Sequence, residues 1–273
     1  PWSGPILADD HLKNEKNKIM GKYFNVRFKP DLVNGTVANL IDSDKSDNQF
    51  SNADVLFDWH TLELPQACKL SSVTVVVMGK NGAAQGNVNM ELLFARAVDG
   101  VAPTSIGTVN ATASCLNLNH HIVGVVTMDG DKGAFGTDNC YVLSSAVGSA
   151  DGGHAQIVLE GEHSTTSGYK TGYQTIYVAA ITRGALDLIT GVRTDAFSDG
   201  ASADITVDTK DPRLSISPGD ILYIHDVDTS IGTVKSVPDS TSIILTTTNV
   251  GAIANDDEIV NATPLKFTLH CEM

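Results

Sequence analysis

The rhythm of the apolar residues limits this chain more than any other feature. Downstream of Gly21 the apolar runs are short, rich in Val, Ile and Thr, and bounded by turn residues. They include Asp54–Leu64, Leu70–Met78, Val88–Ala97, Ile122–Met128, Ala155–Glu160 and Thr175–Ile181. Between them stand Lys80-Asn81-Gly82, Asp99-Gly100, Asp129-Gly130 and Asp151-Gly152-Gly153. Such residues tolerate positive φ and cap their own backbone, so they end strands. β-branched side chains are stiff at χ1 and fill a pleated surface better than a helix. Few windows sustain a 3.6-residue period. The expected fold is all-β: an antiparallel β-sandwich, jelly-roll-like in form. Pro65 falls just before the Leu70 run, where no ladder donor is required.

A second group of short runs begins near Asp195: Asp204–Val207, Asp220–His225, Ile231–Val237, Ser242–Thr247 and Asp257–Asn261. Brief links such as Pro218-Gly219 and Pro238-Asp239-Ser240 join them, which suggests a small second β-barrel unit. The segment Ala185–Val192 reads as a strand leading out of the sandwich. The run Pro264–Glu272 alternates strictly, with Leu265, Phe267, Leu269 and Cys271 on one face. That is a half-buried strand returning to the sandwich. The expected organisation is therefore an arm over 1–25, a main sandwich over 26–194 plus 262–273, and an inserted β-barrel domain over 195–261. Two consecutive domains are the alternative.

Charge separates the arm from the body. Residues 1–29 carry six basic side chains against three acidic ones, a net of +3; the remainder carries 12 against 29, a net of −17. The whole chain, 273 residues with net charge −14, disfavours nucleic acid or an anionic membrane as main partner. With 42% hydrophobic and 18% charged residues it is not intrinsically disordered, and it is long enough to bury a substantial core. No run approaches a membrane-spanning helix. The first residues lack a positive stretch followed by an apolar one, so no secretory signal is expected. Asp9 or Asp10 is placed to cap a short helix over His11–Met20, ended by Gly21.

Catalytic patterns are lacking. Gly130-Asp131-Lys132-Gly133 does not have the order of a phosphate-cradling loop, and neither a G-x-S-x-G elbow nor an H-E-x-x-H pair occurs. His120 and His121 are adjacent, so in a strand they point to opposite faces. Asp226-x-Asp228-x-Ser230 and Asp129-x-Asp131 space carboxylates as calcium loops do, but neither continues to a downstream Glu, and both read as hairpin tips. The 32 acidic residues leave room for a carboxylate pair for glycoside hydrolysis, but no Trp and Tyr cluster offers a sugar platform, since one of the two Trp lies in the arm. Cys68, Cys115, Cys140 and Cys271 read as buried free thiols; a disulfide or metal site is the minor reading. The Asn34, Asn110 and Asn261 glycosylation triplets are taken as chance. No cofactor and no enzymatic activity are expected.

The segment Tyr177–Val192 (YVAAITRGALDLITGV), together with Pro218–Ile224, Gly232–Val237 and Ser242–Thr246, resembles stretches in virion structural proteins of tailed phages of marine cyanobacteria. The resemblance covers about the C-terminal third and carries no diagnostic ligand residue. It implies a virion location, with assembly in the host cytoplasm, and above all a head decoration or cement protein. Such a protein decorates and stabilises the capsid shell as a homo-oligomer, with the major capsid protein or other virion subunits as partners. On that reading Trp2, Ile6 and Leu7 anchor the arm, and Lys13, Lys16, Lys18 and Lys22 dock it on an acidic neighbour. A tail or adaptor component is one alternative. Another is a carbohydrate- or receptor-binding β-module using Tyr169, Tyr173, Tyr177 and Tyr223.

Overall fold

The computed structural model describes residues 23–33, 40, 50–83, 85–86, 88–130, 134–137, 140–145, 157–163, 173–195, 203–225, 227–247 and 253–273. The arm residues Trp2, Ile6, Leu7, Lys13, Lys16, Lys18 and Lys22 and the expected helix over 11–20 lie outside them. In chain order the strands are β1 (Tyr23–Phe28), β2 (Val55–Leu64), β3 (Cys68–Val77), β4 (Met90–Ala95), β5 (Ile122–Met128), β6 (Ala134–Thr137), β7 (Cys140–Ser144) and β8 (Ile157–Leu159). There follow β9 (Glu162–His163), β10 (Gln174–Thr182), β11 (Asp204–Thr206), β12 (Ile221–Ile224), β13 (Val227–Ser236), β14 (Ser242–Leu245), β15 (Ile259–Asn261) and β16 (Leu265–Glu272). A 3-10 turn, Pro212–Leu214, starts with a proline behind the Asp211 cap.

Among the described residues the protein is all-β, with three antiparallel sheets, two of them packed as a sandwich. The first sheet has the order β1-β16-β3-β7-β6, with β8 also on β3. β7 and β8 occupy the same edge of β3, opposite Thr74–Val77 and Cys68–Leu70 respectively, so together they form one interrupted strand. The second sheet has the order β2-β10-β4-β5, with β9 beside β10. The inner faces interdigitate. Val73, Val75, Val77, Leu265, Phe267 and Leu269 from one sheet meet Leu62, Leu64, Leu92, Phe94, Ile176 and Val178 from the other. Phe267 stacks on Phe28 at 5.0 Å and tilts against Phe57 at 5.6 Å, tying β16, β1 and β2 together.

Local chemistry explains the strand patterns. β16 alternates buried and half-buried over its whole length, as its sequence requires. β3 breaks that alternation at Ser71 and Ser72, because its ladder with β16 slips between Cys271↔Leu70 and His270↔Ser72. The extra residue lets both Leu70 and Val73 face the core. β4 from Leu92 and β10 from Val178 are buried on both faces, which is why those stretches read as continuous apolar runs. Their outer residues, Leu93, Ala179 and Ile181, are covered by Ile106 and Leu118 from the long connection between β4 and β5.

The third sheet has the order β11-β14-β13-β12-β15. Its core draws on Val192, Ile205, Leu222, Ile224, Val234, Ile243, Leu245 and Ile259. Here the expectation of a barrel is corrected: among the described residues no closed barrel forms, and β11 and β15 are the two ends of the ladder. Residues 192–195 span the gap through the bridges Arg193↔Glu258 and Thr194↔Val207. The expected strand Ala185–Val192 is likewise irregular. Asp187 Oδ1 accepts from the Ile189 amide, Thr190 Oγ1 donates to the Ile259 carbonyl, and Gly191 has φ +66°. Side chains there take partners that a ladder would otherwise use.

The third sheet lies directly on the sandwich. Leu222 and Ile224 of β12 face the small core, whereas Ile221 and Tyr223 pack against the large one. β1 begins at Tyr23 and pairs with β16 from Tyr23↔Glu272 to Phe28↔Phe267, so residues 23–25 belong to the first sheet.

Candidate functional site

Two concavities and one buried charge cluster concentrate the polar chemistry of the described residues. The first concavity, about 270 Å³, is lined by Pro30, Asp31, Phe57, Asp58, Trp59, His60 and Val109. β2 supplies four consecutive residues to it. The connection before β5 fixes two of them: Asp58 Oδ1 accepts from the Ile106 amide at 3.0 Å, and Trp59 Nε1 donates to the Thr104 carbonyl at 2.7 Å. Asp31 Oδ1 accepts from the Val33 amide at 3.0 Å. His60 stacks on Phe28 with ring centroids 5.1 Å apart. Burial lowers its pKa from the usual 6.5, so the imidazole is neutral at neutral pH. Aromatic walls beside two carboxylates and a neutral imidazole suit a hydroxyl-rich, uncharged ligand better than an anion.

The second concavity, about 230 Å³, runs along the seam between sandwich and third sheet and is lined by Asn81, Ile189, Gly191, Arg193, Thr209, Lys210 and Glu258. Arg193 reaches Asp256 at 3.2 Å and the buried Glu258 at 3.9 Å. Its guanidinium is thus committed to carboxylates of the same unit.

The charge cluster sits on the same seam. Asp220 is fully buried, and its Oδ1 lies 2.9 Å from Lys29 Nζ and 3.5 Å from Lys266 Nζ. Its Oδ2 accepts from the Ser217 amide at 2.9 Å, the Ser217 hydroxyl at 3.2 Å and Asn261 Nδ2 at 2.9 Å. Lys29 follows β1, Lys266 belongs to β16, and Asp220 precedes β12. One carboxylate therefore joins the sandwich to the third sheet.

Other sequence candidates are spread over the molecule. Tyr223 packs against the large core and Tyr177 is a half-buried residue of β10, while Tyr169 lies outside the described residues. Tyr173, just before β10, is half-buried. Asn261 is buried with its amide committed to Ser215 and Asp220, which removes it as a glycan acceptor. His121 Nδ1 lies 3.0 Å from the Arg96 carbonyl. Among the described residues no group of three or more His, Cys, Asp or Glu side chains is arranged to hold a metal ion. Of the calcium candidates, Asp131 and Asp226 are not described, nor is the side chain of Asp228. Cys68 and Cys271 are buried; Cys115 is exposed, contrary to expectation. Sequence reading missed the Trp59 groove. Its signal was there in Asp58-Trp59-His60, a polar and aromatic triplet interrupting an apolar strand.

Comparison with family models, with curated proteins and with solved structures finds no match for this chain. No helix among the described residues is long and apolar enough to cross a membrane.

Proposed function

We propose that this chain is a non-enzymatic structural subunit of a tailed-phage virion, a decoration or cement protein that stabilises the capsid shell as a homo-oligomer. The strand order carries the reading. Taking β7 and β8 as one strand, β1-β16-β3-β7 faces β2-β10-β4-β5. Among these eight strands, successive ones cross from sheet to sheet except at β4–β5, while the short β6 and β9 pair with their chain neighbours β7 and β10. This is the order of a jelly roll, an architecture used by viral capsid and lectin domains. The third sheet is inserted between its last two strands.

The architecture suits a loaded lattice. Non-local ladders resist shear across a sheet, and many weak contacts repeated by symmetry give high avidity. Residues 1–22, with four lysines against three acidic side chains, precede β1, an edge strand of the first sheet among the described residues, so the arm starts at a margin of the domain. It carries apolar anchors (Trp2, Ile6, Leu7) and lysines (Lys13, Lys16, Lys18, Lys22) suited to the acidic body of a neighbour. Co-sedimentation with empty phage shells tests the reading, using the full chain and a chain lacking residues 1–22. Saturable binding of the full chain, lost on truncation, is expected. Equal binding by both removes the arm from the mechanism, and binding by neither overturns the cement function.

The Trp59 groove favours a second reading, a carbohydrate- or receptor-binding module on the same scaffold. A glycan array separates the two: specific sugar binding abolished by Trp59→Ala supports a binding module.

A further inference from the structure

Cys68 and Cys271 stand close together on neighbouring strands. In the β16–β3 ladder Cys271 is opposite Leu70, and Cys68 follows two residues further along β3 on the same face. Both side chains enter the main core, with relative exposures of 4% and 1%. Their thiols are hydrogen-bonded to each other. Both are free thiols in this structure. Diagonal neighbours on one face of adjacent strands lie about 7–8 Å apart, beyond the span of a relaxed disulfide, so closure has to draw the ends of β3 and β16 together.

We propose that Cys68 and Cys271 are a latent cross-link, a dithiol that closes to a disulfide when the protein meets a low-molecular-weight disulfide. The hydrogen bond from Cys271 holds the Cys68 thiol below its ordinary range; the same bond and burial push Cys271 well above it. Cys68 is therefore the first nucleophile. Its thiolate attacks one sulfur of the reagent, whose S–S bond breaks, and one thiol leaves. Cys271 then attacks the Cys68 sulfur of the mixed disulfide and expels the second thiol. Two protein thiols are oxidised, the reagent is reduced to two thiols, and the protons lost by the cysteines end on those products. Cys68 pairs with Leu159 of the three-residue β8, so local opening of that short edge admits the reagent.

The bond would close a loop of about 200 residues, which includes the entire third sheet and most of the sandwich, and long loops gain most from closure. On the proposed virion function, a consequence follows that the cross-link itself does not need. The dithiol stays open in the reducing host cytoplasm and closes after release.

The test uses the purified full chain. It is incubated with oxidised glutathione, unfolded in the presence of a maleimide, digested and mapped by mass spectrometry. The expected result is a peptide joining Cys68 to Cys271, loss of maleimide from both, and a melting temperature about 10 °C above the reduced protein. Reduction should reverse the shift, and Cys271→Ser should abolish it. Retention of maleimide on both residues, in a sample where exposed Cys115 has reacted, overturns the proposal. So does pairing of either with Cys115 or Cys140. Shell binding plays no part in this readout, so failure here is distinct from failure of the cement function.

Discussion

Asp220 offers the sharpest energetic test of how the third sheet is held. Replacing it with Ala removes the charged acceptor of Lys29 and one of the two acceptors of Asn261 Nδ2, and both Ser217 donors lose their partner. Breaking one side of a buried, hydrogen-bonded charge pair costs about 3–5 kcal/mol. Lys29 and Lys266 keep 31% and 23% of their side chains exposed, so water recovers part of their solvation. The lower end of the range therefore applies, about 3 kcal/mol for Asp220→Ala. Asp220→Asn retains the shape and one acceptor oxygen and should lose about half as much. Urea unfolding followed by tryptophan fluorescence measures both. A cycle with Lys29→Met isolates the pair, with a coupling of about 1 kcal/mol expected. A loss below about 1 kcal/mol for Asp220→Ala would refute the claim that this carboxylate fastens the seam.

Phe267→Ala removes a core ring in contact with Phe28 and Phe57 and should cost about 3–5 kcal/mol by the same unfolding assay. Gly191→Ala places a Cβ 2.5 Å from Asn81 Oδ1 at φ +66°, so a loss of about 1–3 kcal/mol is expected, with Gly86→Ala as the unhindered control. His60 has a folded pKa below its unfolded value of 6.5, so the unfolded chain binds the proton first as pH falls. Its contribution is present in full above about pH 6.5 and declines below it until the folded pKa is passed. Urea midpoints from about pH 8 to pH 5 should fall less steeply in His60→Gln than in the parent.

The sequence foretold some elements and misled on others, for identifiable reasons. β16 was legible because one face meets the core and the other does not, so alternation survives in the letters. β5 was legible because Asp129-Gly130 marks its end. β1 was not recognised as a strand: Arg27 and Lys29 drew its end into the charge pattern of the arm, although Phe24, Val26 and Phe28 alternate. The region Ala185–Val192 has strand composition, yet Asp187 and Thr190 hold the backbone in an irregular course by accepting from the Ile189 and Val192 amides, while the Thr190 hydroxyl donates across to the Ile259 carbonyl. A barrel was expected because five short strands with tight links do not reveal whether the last pairs with the first. The two concavities were hidden for a different reason. Each is assembled from segments far apart in sequence, as when Asp31 joins Asp58 and Trp59, or Asn81 joins Lys210. Asp220 looked like the first residue of the run after the Pro218-Gly219 link, and only its distant lysines give it a second role.

The position of β16 has a consequence for synthesis. The last strand lies between β1 and β3, in the interior of its sheet rather than at an edge. While the ribosome is still making residues before 265, β1 and β3 each lack the partner that separates them, and the apolar faces of the opposite sheet lack Phe267 and Leu269. The sandwich therefore cannot close as it emerges. It must wait until the third sheet has been made and the chain has come back, a delay that exposes unpaired edges to neighbouring nascent chains. A polypeptide stopped at residue 264 should consequently accumulate as aggregate or be degraded, and folding of the whole should begin only after residues 265–272 have cleared the exit tunnel.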